Sequence, residues 1–122
     1  MLSLPASLRI WLCSRPADMR RSFDGLAEMV RQQLHRDPLS GQLFVFRNKR
    51  GDRVKLLYWD EDGLAIWYKR LEEGVFRFPA VAADGDAGVA IRAADLVMLL
   101  DGVDWQKAQR GKRYRRPEAT PA

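Results

Sequence analysis

Residues 37–79 read DPLSGQLFVFRNKRGDRVKLLYWDEDGLAIWYKRLEEGVFRFP, and this stretch contains most of the information about the fold. Three of its runs are rich in aromatic and β-branched residues, which favour the extended conformation. They predict strands at 43–48, 53–59 and 64–71. A shorter run at 75–78 is expected to extend the sheet until Pro79 stops it, because proline cannot donate a ladder hydrogen bond.

The segments between the three predicted strands have the composition of tight turns. Residues 49–52 are KRGD and residues 60–63 are DEDG. Gly51 and Gly63 can adopt the positive φ that such hairpins require. The three strands are therefore expected to form an antiparallel meander.

The N-terminal side adds a strand and a helix to this meander. Residues 8–12 alternate weakly between apolar and polar side chains and predict a first strand. From Met19 to Leu34, apolar residues recur at spacings of three and four, which predicts a helix over 19–35 with Asp18 as its N-cap.

The C-terminal side predicts a last short strand at 89–91 and a helix at 93–101, with Gly102 just beyond it. The element order is then strand, helix, meander, strand and helix. We expect a two-layer α+β domain, with a mostly antiparallel sheet of three to five strands and both helices packed on one face. Residues 1–105 should form this single domain, a length that one hydrophobic core can stabilise.

The charge is distributed unevenly along the 122 residues, which carry a net +5. Residues 1–104 hold 15 Lys or Arg and 15 Asp or Glu, so they contribute no net charge. Six cations against Glu118 supply the whole excess, and they are Lys107, Arg110, Lys112, Arg113, Arg115 and Arg116. We expect residues 106–122 to be a disordered basic tail that contacts a polyanion; a merely solubilising tail is the alternative.

Several classes of site are excluded by composition. The single cysteine, Cys13, cannot form an internal disulfide, and one cysteine with one histidine cannot assemble a structural zinc site. The apolar runs are far shorter than the ~20 residues that cross a bilayer, and no signal-peptide pattern precedes them. We therefore expect a cytoplasmic protein without a metal, a cofactor or a membrane contact.

Basic and aromatic side chains alternate along the second and third predicted strands. If the more apolar sides face the helices, the other side of the sheet carries Arg53, Lys55, Trp59, Trp67 and Lys69. Aromatic platforms flanked by cations are typical of sheets that bind nucleic acid, with bases stacked on the two indoles. The same pattern also stabilises an exposed sheet face through cross-strand pairs, so both interpretations stay open.

The first turn presents a second group of cations. Lys49 and Arg50 lie at its tip, and Arg47 and Arg53 lie in the strands beside it. Such a tip can grip phosphates, although charged turns also serve solubility.

The second turn invites a metal or nuclease interpretation that its geometry does not favour. Asp60, Glu61 and Asp62 are adjacent, so their carboxylates project in different directions, whereas a two-metal site needs ligands from separate elements. The chain contains no glycine-rich phosphate loop and no Ser/His/Asp arrangement. We therefore predict that the protein is not an enzyme.

Four segments occur in an order that resembles one family. They are PADMRRSFDGL at 16–26, LFVFRNKRGDR at 43–53, FRFP at 76–79 and LLDGVDW at 99–105. These segments resemble motifs of the small accessory protein, often called TnpB, of bacterial insertion sequences of the IS-sixty-six type. The resemblance covers about residues 8–105, and Ala17 stands where that family usually has threonine.

The resemblance implies an accessory protein that is encoded beside a larger transposase and is needed for efficient transposition. It does not imply the much longer RNA-guided nuclease that shares the label TnpB, and it carries over no catalytic residue. We therefore predict a non-enzymatic transposition protein that contacts DNA through its basic hairpin and basic tail. The alternative is an adaptor that binds the transposase without binding DNA.

Overall fold

The computed structural model describes residues 4–78 and 88–102. The helices are α1 (Phe23–Met29), which continues into a π-helical turn (Val30–Leu34), and α2 (Ala93–Leu100). The strands are β1 (Ile10–Cys13), β2 (Leu43–Arg47), β3 (Arg53–Asp60), β4 (Gly63–Arg70) and β5 (Gly88–Ile91). They form one sheet in the order β4-β3-β2-β1-β5, in which only β1 and β2 are parallel among these described strands. The α+β class and the mostly antiparallel sheet are confirmed.

The two helices pack on opposite faces of the sheet. The α1 face of the sheet includes Phe44 and Phe46, and the α2 face includes Leu43 and Val45. All four side chains are buried, because β2 is covered on both sides. The prediction of both helices on one face is therefore wrong, and the domain has three layers. The uninterrupted apolar run LFVF is the composition expected of a strand that is buried on both faces.

The first helix begins later than its apolar spacing predicts. Ser22 precedes the first turn, whereas Asp18 does not cap the helix and instead accepts hydrogen bonds from the backbone and guanidinium of Arg20. The carbonyls of Met19 and Arg21 accept hydrogen bonds from a lysine of β3, so this segment is held outside the helix. The predicted span of 19–35 is therefore too long at its N-terminal end.

The meander matches its prediction closely, apart from one turn. β3 and β4 pair without interruption from Arg53↔Arg70 to Asp60↔Gly63. Gly51 has the predicted positive φ of 88°. In the second turn the positive φ lies on Glu61, at 57°, because the Asp60↔Gly63 pair leaves only two residues to reverse the chain. The expectation for Gly63 was wrong.

The short run at 75–78 is not a strand. The N–H of Phe76 donates to the carbonyl of Gly51 at 2.8 Å, and the Phe76 ring is buried in the core on the α2 face. This segment therefore fastens the first turn to the domain without extending the sheet.

The C-terminal elements follow the prediction where they are described. The last strand and α2 are confirmed, and Gly102 follows the helix with a φ of 81° and donates to the carbonyl of Leu99. The predicted domain end at residue 105 and the predicted basic tail at 106–122 lie outside the described residues. Within residues 4–78 and 88–102, neither helix has the length and apolarity needed to cross a membrane.

Candidate nucleic-acid interface

The turn between β2 and β3, residues 48–52, is called the basic loop below, and one amide side chain organises it. The Asn48 Oδ1 accepts hydrogen bonds from the backbone N–H groups of Gly51 at 2.9 Å and Arg53 at 3.0 Å. Its Nδ2 donates to the Asp52 carboxylate at 2.7 Å. Asparagine can make all these bonds because it carries both an acceptor oxygen and two donors. The three hydrogen bonds of the Asn48 side chain therefore fix the conformation of the loop.

The basic loop is also fastened to the chain that follows β4. The Asp52 carbonyl accepts the N–H of Leu71 at 2.8 Å, and the Gly51 carbonyl accepts the N–H of Phe76. The hydrogen bond from Asn48, with the nearby Arg50 and Arg53 charges, lowers the pKa of the half-buried Asp52 carboxyl. Asp52 therefore stays ionised and holds its side of the loop.

Two depressions flank the basic loop. The smaller one has a volume of about 260 Å³, and its lining combines Arg47 with the rings of Phe76 and Phe78. The larger and more open one, of about 460 Å³, is lined in part by Arg20 and Arg53. Two further side chains line both depressions, and they are Lys49 and Arg50. The four cations predicted around this turn are therefore brought together at one end of the sheet.

These four cations differ in how freely they can bind a ligand. Arg47 donates to the carbonyl of Ser14 at 2.7 Å and lies 5.7 Å from the centre of the Phe78 ring. Arg53 is half-buried and donates to the Tyr68 hydroxyl at 3.2 Å. The Arg50 side chain is 82% exposed and lies 3.9 Å from the Asp52 carboxylate.

Lys49 is exposed and, within residues 4–78 and 88–102, has no ion-pair partner. The tip of the loop therefore presents two accessible cations, Lys49 and Arg50, between two better-anchored arginines.

Lys55 was predicted to contact nucleic acid, and its position contradicts that prediction. The residue is only 7% exposed, and its Nζ donates to the carbonyls of Met19 at 2.8 Å and Arg21 at 2.7 Å. The ammonium also lies 4.6 Å from the centre of the Tyr68 ring. A buried charge must be compensated by hydrogen bonds, and here backbone oxygens provide them. Lys55 therefore holds the segment before α1 and does not face a ligand.

The predicted face with two stacking tryptophans does not exist. Trp59 pairs with Leu64 and lies on the α1 face, whereas Trp67 pairs with Leu56 and lies on the α2 face together with Lys69. Both indoles are half-buried, while Lys69 is exposed. Only the register shows this separation, because a two-residue turn decides which side chains share a face.

Sequence reasoning missed Arg20 as part of this surface. Its side chain is 91% exposed and pairs with Asp18 at 2.7 Å. The hydrogen bonds from Arg20 lower the pKa of the Asp18 carboxyl to about 2. A signal was available, since PADMRR places two arginines just before a helix, but only the fold brings that segment beside the basic loop. The six tail cations lie outside the described residues.

Other chemistry finds little support in the described part of the chain. No group of three His, Cys, Asp or Glu side chains there could hold a metal ion. Cys13 is buried, and burial raises the pKa of its thiol, which disfavours the reactive thiolate. The surface described above therefore offers cations, amides and aromatic rings.

Comparison with known proteins finds the same family that the four sequence motifs resemble. Residues 8–110 match the family described as IS66 Orf2 like protein. The uncharacterized protein y4jC of Sinorhizobium fredii is 38% identical over 117 residues, 96% of this chain and 97% of the relative. The uncharacterized protein y4hO of the same organism is 39% identical over 109 residues, 89% of this chain and 92% of the relative. No solved structure matches. The chain therefore belongs to the IS66 Orf2-like family, which supports an accessory role in an insertion sequence.

Proposed function

We propose that this protein is a non-enzymatic accessory factor of transposition that contacts DNA through the basic loop, in the bacterial cytoplasm where that DNA lies. One observation carries the proposal: Lys49 and Arg50 are exposed at the tip of a loop that Asn48 holds in one conformation, between two depressions lined by further arginines. The protein's partners would be the DNA of the element and its transposase.

The chemistry of the loop suits the phosphate backbone. Phosphate contacts are made by Lys, Arg and backbone N–H groups, and they supply affinity that does not depend on sequence. Because the loop is already ordered, binding does not have to fix its backbone, which lowers the entropic cost of association. The tail cations would add further contacts to the same backbone.

A catalytic step is not part of the proposal. Hydrolysis of a phosphodiester by two metals needs carboxylates that converge from separate elements. Asp60, Glu61 and Asp62 lie in one exposed turn, and the Asp60↔Gly63 pair puts that turn at the other end of β3 from the basic loop. The geometry supports binding more than cleavage.

Fluorescence anisotropy with a labelled duplex at several salt concentrations tests the proposal. If about five phosphates are neutralised by the loop and the tail, log K should fall against log salt with a slope near −4 to −5. Lys49→Gln and Arg50→Gln should each reduce this slope by about 1. Arg31→Gln is the matched control, since it removes one exposed cation from the turn after α1 and should leave the slope unchanged.

A flat salt response, or equal effects of the loop variants and the control, would contradict DNA contact through the loop. Deleting residues 107–122 separates the contribution of the tail from that of the loop, because each should account for part of the slope of log K against log salt. Co-purification with the transposase after nuclease treatment, together with no DNA binding by this chain alone, would instead establish the adaptor role.

A further inference from the structure

We propose that the outer edge of β4 is an interface at which two copies of this chain pair antiparallel, joining their sheets into one. β4 is the outermost strand on one side of the sheet and spans Gly63–Arg70. Among residues 4–78 and 88–102, no strand pairs with its outer side. The inference is independent of DNA contact, because the basic loop takes no part in it.

The hydrogen-bonding pattern shows which backbone groups face outward. The N–H of Leu71 donates to the carbonyl of Asp52, so this pair is hydrogen-bonded. Hydrogen-bonded and non-hydrogen-bonded pairs alternate along an antiparallel ladder. The residues of β4 that direct their N–H and C=O groups away from β3 are therefore Leu64, Ile66, Tyr68 and Arg70. They form a regular row of donors and acceptors that another strand can complete.

The middle of β4 lacks the features that normally prevent such pairing. Exposed edges are usually protected by charges, proline, bulges or very short strands. Residues 64–68 read LAIWY, and the register with β3 contains no bulge. Tyr68 is 46% exposed, and the other four are partly exposed. By contrast, β5 at the opposite edge has only four residues and is protected by its shortness.

Charge complementarity identifies a second copy as the occupant. The N-terminal end of β4 follows the exposed acids Asp60, Glu61 and Asp62, whereas its C-terminal end carries Lys69 and Arg70, of which Arg70 also pairs with the exposed Glu72 at 3.3 Å. Two strands that run in opposite directions bring the acidic end of each one to the basic end of the other.

Only some registers also satisfy the backbone pattern. Pairing centred on Ile66 joins outward-facing positions to each other, and sets Leu64 opposite Tyr68 of the second copy. The same register brings Asp62, in the turn just before β4, towards Arg70 of the second copy, and two-fold symmetry makes this contact twice. Opposite charges that lie close together across a strand pair stabilise it.

Analytical ultracentrifugation of the full chain, treated with nuclease to remove nucleic acid, measures the proposed dimer. Asp62→Arg and Arg70→Asp should each raise the dimer dissociation constant about tenfold, because each change places like charges together twice. The double variant reverses the pair and should bind within about threefold of the original chain. Asp101→Arg is the control, since the same charge change beyond α2 should leave dimerisation unaffected.

Hydrogen exchange locates the interface. The amides of Leu64, Ile66 and Tyr68 should be protected above the dissociation constant of the dimer and exchange rapidly below it. The amides of Ala65 and Trp67, which face β3, should be protected at both concentrations.

Three outcomes would overturn the proposal. The first is a chain that stays monomeric at hundreds of micromolar with rapidly exchanging outer amides. The second is a dimer that the charge reversals do not weaken or the double variant does not restore. The third is protection of the outer amides in the dilute monomer, which would show that another segment of the same chain covers the edge.

Discussion

The basic loop and the acidic turn at 60–63 lie at opposite ends of β3, and they reverse the chain by different means. In the basic loop, Asn48 makes three side-chain hydrogen bonds, Gly51 takes the positive φ, and two backbone bonds reach the segment after β4. The acidic turn has only two residues between its closing pair, and Glu61, which is not glycine, has a φ of 57°.

The difference indicates which of the two turns depends on the identity of its residues. The conformation of the basic loop depends on particular residues, because each hydrogen bond needs its own donor or acceptor. The acidic turn is set by strand pairing on either side, so its exposed side chains can change with little effect on folding. A fixed loop is suited to holding cations in place for a ligand, whereas the conformation of a turn set by its strands does not depend on the charges that it carries.

The largest expected difference between the two turns comes from removing their polar side chains. Asn48→Ala should lower the free energy of unfolding by about 2–3 kcal/mol, because three hydrogen bonds are lost at roughly 1 kcal/mol each. Asp62→Ala, an exposed position of the acidic turn, should change it by less than about 0.5 kcal/mol. Urea denaturation measures both. Equal losses would show that the basic loop is not specially organised.

The backbone conformations predict effects of opposite sign. Gly51→Ala should lower the free energy of unfolding by about 1 kcal/mol, since alanine is strained at positive φ. Steric conflict would not explain that loss, because a Cβ at this position would lie 3.7 Å from Val75. Glu61→Gly should raise the free energy of unfolding by up to about 1 kcal/mol by relieving the left-handed glutamate. If both variants destabilise the protein, strain at Glu61 is not significant.

The smallest expected effect concerns pH. The pKa of Asp52 is lowered in the folded protein, chiefly by the Asn48 amide, so its contribution to stability is present above its unfolded pKa. That contribution is lost as the pH falls through the lower folded pKa. Carboxyl titration by NMR should therefore find Asp52 below its ordinary value of about 3.9, and Asn48→Ala should move it upward. An unchanged titration would mean that Asn48 does not hold the carboxylate.

Local patterns predicted most elements of the fold, with errors at 75–78 and at the start of α1, and strand pairing and helix packing decided the rest. Alternation and turn residues were sufficient for the three meander strands, for Gly51 and for α2. They did not predict that β1 pairs in parallel with β2 or that the helices lie on opposite faces, although the LFVF run of β2 carried that information. Which residue of a two-residue turn takes a positive φ is also decided by the strands around it.

The candidate site was also predicted only in part, because some of its residues follow from local sequence and others depend on strand register and packing. Lys49 and Arg50 follow from the composition of a turn, which is local. Trp59, Trp67 and Lys55 required the register and the packing of the segment before α1, which are not local. Arg20 belongs to the surface only because the fold returns that segment to the basic loop.

The buried ammonium of Lys55 has a practical consequence for experiments on intact chains. Amine-acylating reagents modify lysines that solvent can reach, and Lys55 is shielded by the two carbonyls that it binds. Lys49 is open to such reagents unless a ligand covers it. In a digest of the labelled protein, the extent of acylation at Lys49 therefore reports whether a ligand covers the loop tip. The extent of acylation at Lys55 reports whether the domain is still folded.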